Sequence, residues 1–177
     1  MSTAAITITR PQPGEYDPYY ERYISLVQSD DVVAALEQQF PETAALLGSR
    51  GAARADFRYA PEKWSVKEIV GHLSDSERIL SYRALRIARG DKTPIEGFEQ
   101  DDYVPNARFG QRTLADLLAE FGDVRRATLH LFRNLDAEAA ARRGIANQKE
   151  ITARALAFVI AGHELHHRRI LEEKYLK

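Results

Sequence analysis

The chain of 177 residues contains no cysteine. This absence excludes disulfide bonds, thiolate metal ligands and a cysteine nucleophile. A metal ion could be held only by histidine, aspartate or glutamate, and thiol chemistry would need a thiol that enters from solution.

Long apolar runs and an excess of charge are also missing. The longest apolar stretch, ALAFVIAG, is too short to cross a bilayer, and the N-terminus MSTAAITITRPQPGEY lacks the basic region and apolar core of a signal peptide. The formal net charge is −1 and no basic stripe stands out, which argues against nucleic acid as a partner. We therefore expect a cytoplasmic protein that binds neither membranes nor nucleic acid.

The distribution of apolar residues predicts one helical domain. Residues 1–14 are predicted to form an extended lead-in, and residues 15–177 a single domain. A first helical region is predicted over residues 18–47, with a break near Asp30 or at Pro41. No segment alternates convincingly between apolar and polar residues, so no strand is expected.

Three further long helices are expected, and the first of these has the clearest boundaries. In WSVKEIVGHLSDSERILSYRALRIARGD, Ser65 and Glu68 have the spacing of a capping box, and Gly90 marks the end of the helix. Apolar residues at helical spacing predict the remaining two long helices over residues 113–135 and 152–175. The chain is therefore predicted to be all-α, as a four-helix bundle.

Two connections between these helices differ in character. A short helical turn is predicted after Asp136 and should end near Gly144. The polar, acidic connection of residues 91–112 is too long for a tight hairpin and is typical of a functional loop or a crossover. Its residues Asp101, Asp102 and Tyr103 could form the rim of a pocket, and a solvated acidic loop is the alternative.

The C-terminal stretch GHELHHRRIL holds three histidines within five positions. His163 and His167 are four residues apart on the apolar stripe of the fourth helix, so their imidazoles could coordinate one divalent ion. His166 points about 100° away from His167, toward the margin of the helix. The alternative is that these are core histidines bonded to neighbours, although burying two without a shared partner is costly.

The H-E-x-x-H pattern at residues 163–167 also occurs in zinc proteases, but the rest of the sequence does not fit them. One protease subclass needs glycine and histidine where this chain has Ile170 and Glu173. The other class needs a glutamate from a later helix, and only ten residues follow His167. We therefore reject the protease interpretation.

A third ligand must come from an earlier part of the chain. His130 lies far from the apolar stripe of its helix and is expected on the surface. His72 flanks the apolar face of the second helix, at a height that would match His163 and His167 if the two helices run antiparallel. Alone, His72 would be interpreted as an ordinary polar residue beside the core.

Together, WSVKEIVGHLSDSE and IAGHELHHRRIL resemble the DinB/YfiT-like family of metal-dependent helical bundles, from about residue 62 to the end. The resemblance implies a four-helix bundle with up-down-down-up connectivity. It also implies a metal site formed by His72, His163 and His167, and homodimers are common in such bundles. Characterised relatives in this broad family are thiol-dependent transferases or isomerases that use thiols such as bacillithiol or mycothiol.

Three neutral imidazoles would leave a divalent ion with its full charge and at least one open position, as in catalytic sites. Zinc or nickel would suit such ligands. The ion could lower the pKa of water or of an incoming thiol. We therefore expect a metal-dependent enzyme acting on a small molecule, such as a thiol S-transferase, with a non-catalytic metal- or ligand-binding stress-response bundle as the alternative. A bundle without a physiological metal is the third interpretation.

Two carboxylates near these histidines have different expected roles. Glu164, next to His163, is the candidate for a catalytic or supporting group behind the ligands. Glu77 projects near the apolar stripe of the second helix, where an unpaired carboxylate would be costly. A structural pair with an arginine such as Arg125 is the expected role of Glu77.

Overall fold

The computed structural model describes residues 7–177, and α-helices dominate it. Within that range, four long helices form a bundle, one short helix precedes them, two short helices lie in the connections, and two short strands form a hairpin. The helices are α1 (Glu21–Ile24), α2 (Val32–Leu46), α3 (Val66–Ala88), α4 (Gln100–Ala107), α5 (Leu114–Arg133), α6 (Ala137–Ala141) and α7 (Ala153–Ile170), and the strands are β1 (Arg143–Ala146) and β2 (Lys149–Thr152).

The N-terminal lead-in packs against the bundle from residue 8 onward. Ile8 is buried, and its carbonyl oxygen accepts a hydrogen bond of 3.3 Å from the backbone nitrogen of Val32. Residues 1–6, the first part of the predicted lead-in, lie outside the described residues. The division into a lead-in of residues 1–14 and one domain of residues 15–177 stays a prediction.

The capping box predicted at the start of α3 is confirmed. The Ser65 hydroxyl accepts a hydrogen bond of 3.3 Å from the Glu68 backbone, and the Glu68 carboxylate accepts one of 2.6 Å from the Ser65 backbone. Gly90 follows the end of α3 with a φ of +82°, a conformation that glycine adopts without a steric cost. Local sequence therefore fixes both ends of the helix that carries His72.

Of the two predicted breaks in the first helical region, the structure has the one near Asp30. The side chain of Asp31 caps α2 by accepting hydrogen bonds from the first turn. The helix continues through Pro41, although an internal proline costs about 3 kcal/mol in a helix. Leu36 and Thr43, before and after the proline, are both buried and hold the two halves of α2 in the bundle.

The packing of α3 shows how the bundle is connected. His72 contacts His167 of α7, whereas Leu80 lines a cavity with Val159, which is earlier in α7, so these helices are antiparallel. Contacts between α3 and α5 progress in the same direction along both helices, since Arg78 pairs with Glu120, and Leu85 lines a groove with Leu131. Helices α3 and α5 are therefore parallel neighbours.

The remaining long helix completes the topology. In α2, Glu37 forms an ion pair with Arg133 at the end of α5, while Phe40 packs on Phe121 nearer its start. Helices α2 and α5 are therefore antiparallel. This arrangement confirms the up-down-down-up bundle, in which the connection between α3 and α5 must return along the length of the bundle.

Buried side chains form two apolar clusters with a polar layer between them. One cluster includes Leu80 and Leu156, and the other includes Leu73 and Phe121. The polar layer consists of buried residues from all four long helices: Gln39, Thr43, His72, Ser74, Ser76, Glu77, Arg125, Thr128, His163 and Glu164.

None of the helices between residues 7 and 177 combines the length and apolar character that a membrane span requires.

A β-hairpin between α6 and α7 corrects the expectation that the chain has no strand. Strands β1 and β2 pair antiparallel through a turn at Asn147 and Gln148, whose φ angles of 51° and 63° are those of a type I′ turn. Ile95, from the long connection, adds a single parallel bridge to Ala146. The bundle remains the dominant architecture, because each strand has only four residues.

The long connection contains α4 and a short 3₁₀ helix, Phe109–Gln111. The aromatic ring of Phe109 lies where a Cβ atom on Gly71 would be, at 2.4 Å from the ideal position of that atom. A side chain at residue 71, next to His72, would therefore displace the connection.

A second glycine precedes a histidine of α7 and permits a close helix contact. A Cβ atom on Gly162 would lie 2.1 Å from the backbone oxygen of Tyr23 in α1. This close approach sets the Tyr23 ring edge-on to His163, with 5.5 Å between ring centroids. Gly162 therefore controls how α1 covers the histidine face of α7.

We predict that Gly162→Ala destabilises the protein, because the new methyl group collides with backbone atoms that have no alternative rotamer. The expected loss is about 1–3 kcal/mol in the free energy of unfolding, measured by urea denaturation. Gly48→Ala is the matched control, since a Cβ atom there meets nothing within 4 Å. Equal stability of the two variants would contradict this account of the α1–α7 contact.

Candidate metal centre

Three imidazoles from two helices converge in the polar layer. The Nε2 atom of His163 lies 3.1 Å from Nε2 of His72 and 3.2 Å from Nε2 of His167. The ligand nitrogens of all three residues lie within 4.8 Å of one another. The structure thus brings together the three histidines singled out in the sequence, one from α3 and two from α7.

Hydrogen bonds among the three rings cannot provide a partner for every Nε2 contact in this cluster. A neutral imidazole nitrogen either donates one hydrogen or accepts through one lone pair, so Nε2 of His163 can pair with only one of its two neighbours at a time. Nitrogen ligands about 2.0–2.1 Å from a shared tetrahedral ion lie ~3.3 Å apart, close to the separations observed. The donor set and its spacing therefore fit a divalent transition metal.

Burial keeps the imidazoles neutral. Removal from water lowers the pKa of His72 to about 4, and this side chain is only 3% exposed. Burial, reinforced by the neighbouring histidines, holds the pKa values of His163 and His167 well below their usual range. Neutral imidazoles have a free lone pair, so these shifts favour binding of a cation over binding of protons.

The cluster is enclosed mainly by aromatic and small side chains. Trp64 packs against His72 with ring centroids 4.7 Å apart. Ser76, one helical turn after His72, places its hydroxyl 3.4 Å from both ring nitrogens of that histidine. Neither Ser76 nor Tyr23 was identified from the sequence, although the spacing of Ser76 from His72 could have indicated it.

The other two histidines lie outside the cluster. His166 is half-buried at the helix margin, where its ring packs edge-on against Tyr23 at 5.5 Å. His130 is exposed on α5. Both expectations are confirmed.

Two cavities approach the histidines from different sides. His163 lines a cavity of about 300 Å³, and His167 lines another of about 550 Å³. Asp101 of α4 lines both, so part of the acidic connection does form a pocket wall. A small molecule could therefore approach the cluster from the surface of the bundle.

Glu164 has a different environment from that expected for a group supporting the ligands. Its carboxylate accepts a hydrogen bond of 2.7 Å from the Thr43 hydroxyl and lies 2.8 Å from Nη2 of Arg125. Consecutive residues of a helix point about 100° apart, so Glu164 is directed into the bundle on a different side from His163. Among the described residues, Glu164 makes no hydrogen bond to a histidine ring.

The predicted pair between Glu77 and Arg125 is confirmed, and it belongs to a larger cluster. Arg125 donates hydrogen bonds of 2.9 Å and 2.7 Å to the two oxygens of Glu77, and one of 3.0 Å to the carbonyl of Leu36. Burial alone would lower the pKa of Arg125, but Glu77 and Glu164 outweigh it and raise the pKa. This ion cluster links α2, α3, α5 and α7 within the polar layer.

We predict that Arg125→Met destabilises the protein by about 3–5 kcal/mol, because it leaves the carboxylates of Glu77 and Glu164 buried without their counter-ion. Urea denaturation at neutral pH would measure the loss. Arg126→Met is the control, since Arg126 is 70% exposed and pairs with the exposed Asp123. Similar losses in the two variants would show that the buried cluster does not hold the helices together.

We predict that the metal-free protein loses stability as the pH falls from about 6.5 toward 4. A histidine with a depressed pKa binds fewer protons in the folded state than in the unfolded state, so acid favours unfolding in this window. For His72 alone, the pKa of about 4 corresponds to roughly 2 kcal/mol lost at pH 5. Urea midpoints of His72→Asn should depend less steeply on pH than those of the wild type, and equal slopes would contradict the depressed pKa.

Comparisons with known proteins agree with the fold. Among solved structures, the chain is similar to YfiT from Bacillus subtilis, named a probable metal-dependent hydrolase with an unusual four-helix bundle topology. The two share 16% sequence identity and a TM-score of 0.72 over 92% of this chain and 89% of YfiT, which shows a common fold. A search of curated proteins finds no match. The sequence pattern of the DinB superfamily matches residues 35–171, from α2 to the end of α7, and the chain therefore belongs to the DinB superfamily.

Proposed function

We propose that this protein is a metal-dependent enzyme in which His72, His163 and His167 hold one divalent ion, with zinc or nickel as the metal. The observation that carries the proposal is the convergence of three desolvated, neutral imidazole nitrogens on a common point. When bound, such an ion supplies a Lewis acid that lowers the pKa of water or of a thiol.

The size of the cavity beside His163 and the absence of cysteine limit which substrate and which nucleophile can reach this centre. The cavity of about 300 Å³ beside His163 is of a size that suits a small molecule, and the chain has no cysteine with which to supply a thiol. Water as the nucleophile would give hydrolysis, the class named for YfiT. A low-molecular-weight thiol would give S-transfer, the reaction that the sequence resemblance favours.

A specific observation favours the second candidate, a non-catalytic metal- or ligand-binding bundle. Among residues 7–177, no carboxylate makes a hydrogen bond to a histidine of the cluster, and Glu164 is held by Thr43 and Arg125 instead. A general base would then have to come from the substrate or from water. The cytoplasmic location and the homodimer expected from the sequence stay predictions.

Metal content is the test of the site. We predict about one divalent ion per chain in protein purified without a polyhistidine tag, measured by elemental analysis. His72→Ala should lower the content at least tenfold, because two ligands of one helix remain. His130→Ala is the control and should keep the ion, since His130 is exposed and is not one of the three converging histidines. Equal metal content in His72→Ala and wild type would overturn the proposed site.

Turnover separates the two candidate functions. Metal-loaded protein is assayed with ester substrates in water and with an electrophilic acceptor plus a low-molecular-weight thiol. Activity that depends on the metal and is lost in His72→Ala supports the enzyme. Stoichiometric metal without activity in either assay supports the binding protein.

A further inference from the structure

Arg83 of α3 is buried along a cavity that reaches the candidate metal centre, and it has no carboxylate partner among the described residues. The residue is 4% exposed and lines the cavity of about 300 Å³ that His163 also lines. Among the described residues, no aspartate or glutamate oxygen lies within 4.0 Å of its guanidinium. This contrasts with Arg125, the other buried arginine of the bundle, which faces two carboxylates.

The hydrogen bonds of Arg83 leave most of its donors unused. Nη2 donates a hydrogen bond of 2.7 Å to the carbonyl of Glu96, while Nε is fully buried and has no partner among residues 7–177. The ring of Phe98 lies 5.8 Å from the guanidinium carbon. An arginine stays charged at neutral pH, and a buried charge without a counter-ion is costly. The cost is removed if an anion enters the cavity.

The remaining walls of the cavity suit a small organic anion. Tyr19, Tyr20 and Tyr23 provide aromatic surface, and Phe98 adds more beside Arg83. Glu99 and Asp101 also line the cavity but are exposed, so solvent screens their charge far more than that of Arg83.

The positions along α3 set the length of the ligand. Ser76 lies against His72, and Arg83 follows seven residues later on the same cavity wall. Seven residues of helix span ~10 Å, so one molecule of that length could reach from Arg83 to the histidines.

We propose that Arg83 binds the carboxylate or phosphate group of an elongated small-molecule ligand whose other end reaches His163. This inference rests on the proposed function, since it assigns a substrate class to the same centre. The guanidinium fork is suited to both anions, because each presents two oxygens to paired N–H groups. The aromatic walls would hold the uncharged middle of the ligand.

The test uses 3-phenylpropionate as the probe and its neutral amide as the matched ligand, with calorimetric titration of metal-free protein. The wild type should bind the acid more tightly than the amide. Arg83→Gln should weaken acid binding roughly 10- to 100-fold and leave amide binding unchanged, as expected for loss of a charge-assisted hydrogen bond. Arg86→Gln is the control, since Arg86 is one turn further along α3 and pairs with Asp91.

Phenyl phosphate provides the second arm of the titration. Tighter binding of phenyl phosphate than of 3-phenylpropionate, again lost in Arg83→Gln, would identify a phosphate ligand, and the reverse order a carboxylate ligand. Equal affinity of the wild type for acid and amide, or equal effects of Arg83→Gln and Arg86→Gln, would overturn the proposal.

A measurement on the wild-type protein tests the proposal even if Arg83→Gln does not fold. The Nε–H resonance of Arg83, assigned through bonds in the wild type, should shift further at saturation with the acid than at saturation with the amide. An unchanged resonance would overturn the proposal. Because all titrations use metal-free protein, they fail or succeed independently of metal content, so a failed anion site and a failed metal site are told apart.

Discussion

The bundle depends on burying a layer of polar side chains between two apolar clusters. Leu73 and Leu80 belong to different clusters on the same helix, and the buried polar residues Ser74, Ser76 and Glu77 lie between them. Burial of polar groups is tolerated only where each finds a partner, so the four helices must meet in one register. The ion cluster centred on Arg125 fulfils this condition on one side of the layer. On the other side of the layer, the three histidines cannot all find hydrogen-bond partners among themselves, and a cation would supply the missing partner.

The two parts of the polar layer are linked through the chain itself. Glu164 follows His163 directly, and Glu77 lies five residues after His72, so the helices that hold the carboxylates also hold the imidazoles. By joining Glu77 to Glu164, Arg125 fixes α3 relative to α7 and thereby the distance between the histidines. With both carboxylates ionised, the ion cluster carries a formal charge of −1, which favours a cation in the neighbouring part of a low-dielectric layer.

Local signals in the sequence predicted much of this arrangement, and non-local contacts account for what was missed. The capping box of α3, the i, i+4 histidines and the Glu77–Arg125 pair follow from spacing and burial cost. The partnership of Thr43 with Glu164 joins residues far apart in sequence and has no local signature. The hairpin was missed because its strands are short and its turn at Asn147 lacks the usual glycine. Helix α2 passes through Pro41 because tertiary packing outweighs a local preference.

Arg83 and Arg125 are both buried arginines, but they have different roles in the bundle. Both are nearly excluded from water, yet Arg125 faces two carboxylates and Arg83 faces a cavity. The unfolded chain would hydrate the guanidinium of Arg83 fully, so its burial without a counter-ion among residues 7–177 lowers stability and is not explained by packing. Residues held at such a cost are typical of binding sites, because an anion that enters recovers the lost interaction. The aromatic walls and His163 line the same cavity as Arg83, so one ligand could contact all three.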